Sequence, residues 1–342
     1  MAPSALQQIL LSPAELSYLH TSLSYTPPIR PDGRTSTQFR PLIAECDILP
    51  GTNGSARICF ADGTEAIVGI KAEVEKSRPT FREDEDEGKK GRNEWVEISV
   101  EIPGFRDDDS MPVFLGAMLS EALLADGSFV ERLWINRRFH WKIYLDILLL
   151  SQPLSYPLPL LSLTTHLALL STRLPALKSE QDEDPLFNDD WDAAVYLFPR
   201  ESDIARPPIT LLVMAVGSNI IFDPSKEELA VAESVLAVSV AERPTDDESR
   251  SLKLLAVRTI DPPSRLTQPG VANEVNTATG GTAVGSVGER VLKREIKGEK
   301  GVWQPPRGGA KRVLVREMIR RVLEPGGVAD EVLEGLEGVE LG

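Results

Sequence analysis

The sequence predicts an α+β fold in which the second half of the chain partly repeats the first. The central observation is an apolar run at 144–150, broken by a single aspartate and followed by leucines at helical spacing from Leu160 to Leu174. Strand-like segments precede this pair, and a second group of strand-like segments precedes an amphipathic helix near the C-terminus. Several strands followed by a helix, found twice, are typical of a duplicated α+β unit.

The first predicted element is a helix that begins after Ser12. Ser12 and Glu15 have the spacing of a capping box, and the proline between them suits a first helical turn. Leucines from Leu16 to Leu23 then recur on one side of the helix. Two prolines end the element, which we assign to an N-terminal helical segment at 1–29.

The next segments predict an antiparallel meander. Three strand-like runs lie at 42–49, 57–60 and 65–73, and the last two are joined by a hairpin turn at 61–64. The stretch at 80–94 is highly charged with hardly an apolar residue, and such a stretch cannot bury enough surface to fold. We therefore expect an acidic loop there.

The elements that follow complete the first half. Strict alternation at 95–102 predicts a strand with one face in solvent, and the spacing at 111–124 predicts a helix. Residues 129–135 are strand-like, and the apolar run at 144–150 predicts a strand covered on both faces. The leucine-rich segment from Pro159 predicts a buried core helix packed on that strand's sheet.

The second half begins after an acidic linker at 178–192. Five further strands are predicted at 193–198, 209–216, 219–222, 234–241 and 253–260. Residues 261–311 are rich in Gly, Pro, Thr and Ser, which predicts a low-complexity insertion without a fixed fold. Helical spacing resumes at 313–323, and the acidic tail predicts one more short helix.

Length and charge limit the function. A chain of 342 residues that is 42% hydrophobic can form two domains with real cores. A net charge of -15 argues against a protein that grips nucleic acid over its whole surface, because phosphate binding needs clustered Lys and Arg. The apolar patch from Leu6 to Leu11 has no basic flank and is short, so we expect neither a signal peptide nor a membrane span.

The residues that could bind a metal are few and scattered. Cys46 and Cys59 have neither the spacing of a zinc site nor that of a disulfide framework, which favours the reducing interior of a cell. His20, His140 and His166 are far apart in sequence, and we expect each to be a packed or surface histidine. The sequence predicts no metal site.

Basic and aromatic residues mix at one place in this acidic chain. Four basic side chains surround the aromatic segment 139–141: Arg132, Arg137, Arg138 and Lys142. Such a mixture suits single-stranded RNA, with cations for the phosphates and rings for the bases. It equally suits an ordinary loop in which charged side chains extend outward from a buried tryptophan. Both interpretations stay open.

Two groups of acids invite a catalytic interpretation. Asp223, Glu227 and Glu228 resemble a carboxylate cluster for acid or metal chemistry. They also lie where a Pro-Ser turn opens a helical segment, and acids in a first turn stabilise a helix through its dipole. The acids at 107–109 precede a helix in the same way and suit its cap. We favour the structural role for both groups.

Several motifs together resemble the RNase PH family. They are Arg30-Pro31-Asp32-Gly33-Arg34 with Arg40-Pro41, the turn Gly54-Ser55-Ala56-Arg57, the strand Val68-Gly69-Ile70-Lys71-Ala72-Glu73, the strand 144–150, Thr172-Arg173-Leu174-Pro175, and Ile221-Phe222-Asp223-Pro224-Ser225. On turn statistics alone, the first of them is a charged turn that fixes the entry to a domain. Their order over roughly two thirds of the chain resembles the eukaryotic exosome ring subunits of that family.

The resemblance implies two similar βαβα halves of the ribosomal protein S5 domain 2-like fold, packed together, at 30–177 and 193–342. It implies a ring of six RNase PH-like subunits with single-stranded RNA in a central channel, cap subunits with S1 and KH domains, and associated hydrolytic ribonucleases. It also implies location in the nucleus, nucleolus and cytoplasm. No cofactor and no membrane are implied.

The segment before the core helix bears on catalysis. Phosphorolytic members of the family hold phosphate with a Gly-Gly-Ser-Arg type loop, in which glycine amides, the helix N-terminus and a guanidinium bind the anion. The corresponding segment here is Gln152-Pro153-Leu154-Ser155-Tyr156-Pro157, with neither glycine nor arginine, and each proline removes a donor. We infer a subunit without a phosphate site and without catalytic residues. The alternatives are an active phosphorolytic 3′-5′ exoribonuclease and a free RNA-binding adaptor.

Overall fold

The computed structural model describes residues 11–77, 91–179, 183–199, 205–243, 251–271 and 302–341. The chain divides into two compact units. One comprises Met1–Phe39, Leu212–Ala237 and Arg258–Ile319, and the other comprises Arg40–Leu211, Val238–Val257 and Arg320–Gly342. The domain boundaries inferred from the sequence stay a prediction.

The first helix, α1 (Pro13–Ser24), confirms the capping-box prediction. The Ser12 Oγ accepts a hydrogen bond from the backbone N–H of Glu15 at 3.3 Å, and the Glu15 carboxylate accepts one from the backbone N–H of Ser12 at 2.7 Å. Leu16 and Leu23 are buried. A local sequence signal therefore sets the start of this helix and the face that it buries.

A five-stranded mixed sheet forms the core of the larger unit. Its strands are β1 (Leu42–Cys46), β2 (Gly54–Phe60), β3 (Glu65–Lys76), β4 (Val96–Glu101) and β5 (Phe139–Leu149). The spatial order is β1-β2-β3-β5-β4, with β4 parallel to β5 and the other pairs antiparallel. Gly63 supplies the positive φ of 85° in the β2–β3 hairpin. The predicted meander of β1, β2 and β3 is confirmed.

Two expectations about this region are wrong. Strand β5 is covered mainly on one face, since Ile143, Leu145 and Ile147 are buried while Asp146 between them is exposed. The strand expected at 129–135 is instead a short helix, α3 (Ser128–Glu131). Asp126 accepts hydrogen bonds from the backbone and hydroxyl of Ser128, and this local bond competes with an extended conformation.

Two longer helices accompany the sheet. They are α2 (Ser110–Leu124) and α4 (Leu158–Ser171). Every residue of α4 is buried, and the helix packs against β2 and β3. The predicted core helix is therefore confirmed. Its N-terminus directly follows the segment 152–157, which the sequence analysis compared with a phosphate-binding loop.

The remaining strands form two smaller sheets. They are β6 (Arg173–Leu174), β7 (Val195–Tyr196), β8 (Ile209–Val216), β9 (Asn219–Phe222), β10 (Ser234–Arg243) and β11 (Ser251–Ile260). Strands β6 and β7 pair with each other, and the other four have the order β11-β10-β8-β9. The strand expected at 193–198 shrinks to β7, because a helical turn occupies Trp191–Ala193 and Pro199 follows.

Three further helices are α5 (Lys226–Leu229), α6 (Arg312–Val322) and α7 (Val328–Glu337), the last two confirming the expected C-terminal helices. Among the described residues, no helix is long and apolar enough to cross a membrane.

Both described ends of the predicted insertion at 261–311 have a defined structure. Trp303 is 5% exposed, and its indole N–H donates to the Thr267 hydroxyl at 2.8 Å. Ser264 is buried in a helical turn and donates to the backbone carbonyl of Ala232. The expectation of no fixed fold is therefore wrong at both ends of the insertion, where an aromatic and a hydroxyl are packed. Residues 272–301, like most of the predicted acidic loop at 80–94, lie outside the described residues.

Candidate functional site

The N-terminus of α4 is poorly suited to bind an anion. Pro157 is the N-cap residue and Pro159 lies in the first turn, so two backbone donors are missing where a helix usually offers them. No side chain caps this end. Burial raises the pKa of the nearby Tyr156 from 10 to about 12, and its phenol is neutral at physiological pH with either value. The segment therefore presents few donors and no charge of its own.

A guanidinium does reach this segment, from another part of the chain. Arg40 donates from Nη1 to the Ser155 Oγ at 3.0 Å, and it is 9% exposed. Its guanidinium carbon lies 4.5 Å from the centre of the Phe60 ring. The expectation that this place lacks a guanidinium is therefore wrong, because the fold brings Arg40 to the segment from just before β1.

The charge of Arg40 is neutralised within the fold. Its Nη1 lies 2.5 Å from Asp62 Oδ2, a charge-assisted hydrogen bond. Burial by itself would raise the pKa of Asp62, but hydrogen bonds from Thr64 and the charge of Arg40 lower it below its usual value. Asp62 is thus a fixed anion beside Arg40. An orthophosphate ion approaching Ser155 would be repelled by this carboxylate while competing for the same guanidinium.

The register of β1 and β2 explains why Arg40 and Asp62 lie close together. Leu42 pairs with Phe60, and the backbone N–H of Ala61 donates to the carbonyl of Pro41 at 2.9 Å. Arg40 and Asp62 lie just beyond this pairing, so the hairpin brings a cation and an anion together at its open end. No local motif indicates this pair. The strand register of the predicted meander would indicate it, because that register places Arg40 near Asp62.

A second charged cluster joins the 30–34 turn to the 223–228 segment. Arg30 forms a bidentate pair with Glu228, with N–O distances of 2.7 and 2.8 Å, and both side chains are fully buried. Arg34 donates to Asp223 at 2.8 Å, and Asp223 is 1% exposed. These arginines do more than shape a turn, since they compensate two buried carboxylates.

The same cluster decides the role of the nearby acids. Glu228 also accepts a hydrogen bond from the backbone N–H of Ser225, completing a capping box for α5. Every carboxylate oxygen of Glu228 is thus engaged, as expected for a structural residue. Glu227 is exposed to solvent. In the described part of the chain no three His, Cys, Asp or Glu residues are grouped to hold a metal ion.

The four basic residues that could bind RNA include Lys142 of β5, and two of the four are held by contacts within their unit. Arg132 donates to the Leu197 carbonyl at 3.2 Å and lies over the Phe198 ring, and burial lowers its pKa. Lys142 donates to the Glu94 carbonyl at 2.7 Å and lies 3.4 Å from Glu97. For Arg132 and Lys142, these contacts favour the structural interpretation over RNA binding.

The other two basic residues are exposed. Arg138 lies 2.9 Å from Asp184 with more than half of its side chain in solvent, and Arg137 is also exposed. Of the four residues, these two have the greatest access to an RNA phosphate. RNA binding by these four residues stays a prediction.

The histidines have separate packing roles. His140 stacks on Trp95 with a centroid distance of 4.3 Å, and burial lowers its pKa. His166 lies inside α4, where Nδ1 contacts the Pro207 carbonyl at 2.8 Å and burial lowers the pKa to about 4. His20 pairs with Glu233 at 3.2 Å. The expected packing role is confirmed for His140 and His166.

Comparisons with known proteins agree with the fold. The profile of the RNase PH family, described as 3′ exoribonuclease family, domain 1, matches residues 38–175. The Saccharomyces cerevisiae exosome complex component RRP42 is 36% identical over 71% of this chain and 86% of its own length. The corresponding Schizosaccharomyces pombe protein is 35% identical over 67% of this chain and 78% of its own length. The chain belongs to the RNase PH family, and within it to the RRP42 type.

Solved structures extend the likeness of this RNase PH family member to the fold. An Archaeoglobus fulgidus exosome with RNA bound to the active site matches with a TM-score of 0.51 and 21% identity, over 72% of this chain and 87% of that chain. An archaeal exosome core matches with a TM-score of 0.50 and 20% identity, over 72% of this chain and 84% of that chain. The predicted RNase PH-like α+β fold is therefore confirmed.

Proposed function

We propose that this RNase PH family member is a non-catalytic structural subunit of an exosome core ring. In that role it supports 3′-to-5′ RNA processing and degradation, including ribosomal RNA maturation and messenger RNA turnover. It contributes interface area and part of the RNA channel wall. Its partners are the other RNase PH-like ring subunits and cap subunits with S1 and KH domains, together with associated hydrolytic ribonucleases that cut the RNA. The complex works in the nucleus, nucleolus and cytoplasm.

The observation that carries the inactive role is the Arg40–Asp62–Ser155 cluster at the N-terminus of α4. A phosphorolytic enzyme needs free donors and uncompensated positive charge where phosphate binds. Here two prolines remove donors, and Asp62 lies 2.5 Å from the Arg40 guanidinium that contacts Ser155. Placing phosphate there would require the separation of Arg40 from Asp62, which makes binding unfavourable.

The structural role is supported by the relatives and by the net charge. The two yeast proteins that resemble the chain over most of its length are exosome complex components. A net charge of -15 suits a subunit whose partners supply the basic surface for RNA, and it disfavours a free RNA-binding adaptor. An active phosphorolytic enzyme is disfavoured by the cluster described above.

Reconstitution tests the proposal. Co-expression with five RNase PH-like ring subunits is expected to yield one complex containing this chain. Replacing Gln152, Pro153, Leu154 and Ser155 with alanine is expected to leave RNA degradation by a bound hydrolytic ribonuclease unchanged, because the segment performs no chemistry. Size-exclusion chromatography and an RNA degradation assay measure the two outcomes.

The matched control is the intact chain in the same ring. A chain that stays a monomer beside these subunits would overturn the structural role. A phosphate-dependent activity that disappears with the four alanines would instead favour the phosphorolytic enzyme.

A further inference from the structure

The segment that leads into β7 is acidic and largely exposed where the structure describes it, at 183–196. Residues 179–199 contain seven acidic residues and no Lys or Arg. We call the part at 183–196 the acidic strap. The strap includes most of the predicted acidic linker at 178–192. Contacts with the rest of the larger unit hold it in place.

Backbone pairing ties the strap at both ends. Near its start, Phe187 forms a β-bridge with Leu177, and the Asn188 N–H donates to the Ala176 carbonyl at 2.8 Å. Near its end, β7 pairs with β6 so that Val195 lies opposite Leu174. The strap is therefore an ordered part of the fold.

Side chains that point inward complete the attachment. The Phe187 ring lies 5.0 Å from the Trp141 ring, centre to centre. The Tyr196 ring lies 4.7 Å from the Arg173 guanidinium. Each inward residue has a neighbour that points the other way, because successive side chains of an extended segment alternate.

The outward side chains are large and apolar. Leu186 is 64% exposed, Trp191 is 47% exposed and Val195 is 55% exposed. Asp190 accepts a hydrogen bond from the Asp192 N–H at 3.1 Å, which caps the helical turn carrying Trp191. Single exposed apolar residues are ordinary, but three large ones within ten residues of one ordered segment suit a surface that a partner covers.

Charge decides what kind of partner this is. Trp191 is flanked by Asp189, Asp190 and Asp192, all of them exposed. These carboxylates repel RNA phosphates and anionic lipid headgroups, whereas a protein surface with Lys and Arg around an apolar pocket complements them. Tryptophan is the residue type most enriched at the energetic centre of protein interfaces.

We propose that the acidic strap is a docking site for a protein partner that presents an apolar pocket rimmed by Lys and Arg. Trp191 fills the pocket, Leu186 and Val195 extend the apolar contact, and the three aspartates pair with the basic rim. The proposal does not depend on whether the chain is catalytic.

Binding of a synthetic probe to the full chain tests the chemistry. The probe is a fluorescent amphipathic peptide of Lys and Leu, measured by fluorescence anisotropy. Trp191→Ala is expected to weaken its binding at least tenfold, because tryptophan is enriched among the residues whose truncation weakens an interface most. Asp189→Asn with Asp192→Asn is expected to weaken binding and to reduce its salt dependence. Asp190 is left intact because it caps the turn.

The control removes the same charge elsewhere. Asp107→Asn with Asp108→Asn also neutralises two exposed carboxylates, and it is expected to leave probe binding unchanged. Equal weakening by both double variants would reduce the effect to net charge and overturn the proposal. Unchanged binding by the folded Trp191→Ala variant would overturn it as well.

The native occupant is identified by crosslinking. With benzoylphenylalanine at position 191 in the assembly purified from cells, crosslinks are expected on a protein peptide rich in Lys and Arg, and high salt is expected to reduce them. Crosslinks to RNA, or to the strap of a second copy of this chain, would contradict the assignment.

Discussion

Replacing Arg30 with methionine is expected to lower the free energy of unfolding by about 3–5 kcal/mol, the cost typical of leaving a buried charge without its partner. The Glu228 carboxylate would lose both guanidinium hydrogen bonds while it stays fully buried. Its remaining hydrogen bond, from the Ser225 N–H, cannot compensate a full charge. Urea unfolding followed by circular dichroism measures the change.

Two further variants distinguish the effect of breaking the buried pair from the effect of removing any arginine. Arg57→Met removes an arginine of the five-stranded sheet that pairs with Glu45 and Glu65 at the surface, and stability is expected to be nearly unchanged. Adding Glu228→Leu to Arg30→Met is expected to recover part of the loss, because no unpaired charge then remains. If Arg30→Met proved as mild as Arg57→Met, the assigned role of the cluster would be wrong.

His166 is expected to make stability fall as the pH drops from about 6.5 to about 4. Burial in α4 lowers the pKa of its imidazole to about 4, against the usual 6.5. Below pH 6.5 the unfolded chain binds a proton that the folded chain does not, so folding is disfavoured until the folded histidine also titrates. The full loss is roughly 3 kcal/mol for a shift of this size, and above pH 6.5 the contribution vanishes.

The surroundings of His166 account for the direction of the shift. Its Nε2 is buried without a hydrogen-bond partner in the described structure, and the charge of Arg206 adds to the cost of protonation. The Pro207 carbonyl favours the protonated form but does not outweigh burial.

A comparison of pH profiles isolates this residue from the carboxylates that titrate in the same range. His166→Asn keeps a donor for the Pro207 carbonyl and has no titratable group. Its unfolding free energy is expected to depend less steeply on pH between 6.5 and 4 than that of the unmodified chain. His20→Gln, at a partly exposed histidine, is the control and should keep the steeper profile. Parallel profiles for the Asn variant and the unmodified chain would refute the assignment.

Local signals predicted much of the fold. The capping box at Ser12, the hairpin turn at 61–64 and the leucine spacing of α4 each depend on residues within a few positions of one another. Short-range hydrogen bonds and helical periodicity are visible in a sequence for that reason. The strand prediction at 129–135 is wrong because Phe129 and Val130 lie in a short helix with a local Asp126 contact.

The charged clusters could not be predicted in the same way. Arg30 and Glu228 are separated by 198 positions, and Arg40 and Ser155 by 115. Only the folded chain brings such residues together, and no spacing rule describes them. The strap contacts are similar, since the pairing of Phe187 with Trp141 depends on where β5 lies in the sheet. The segment before α4 contains no arginine, as its sequence shows, but Arg40 reaches Ser155 from a distant part of the chain.

The proposal that this subunit is inactive is tested most directly by phosphorolysis. Purified chain is incubated with single-stranded RNA and inorganic phosphate, and nucleoside diphosphates are measured. We expect no phosphate-dependent release, since Asp62 pairs with the Arg40 guanidinium that contacts Ser155. Release of nucleoside diphosphates that requires phosphate and is lost in the Arg40→Met variant would contradict the account.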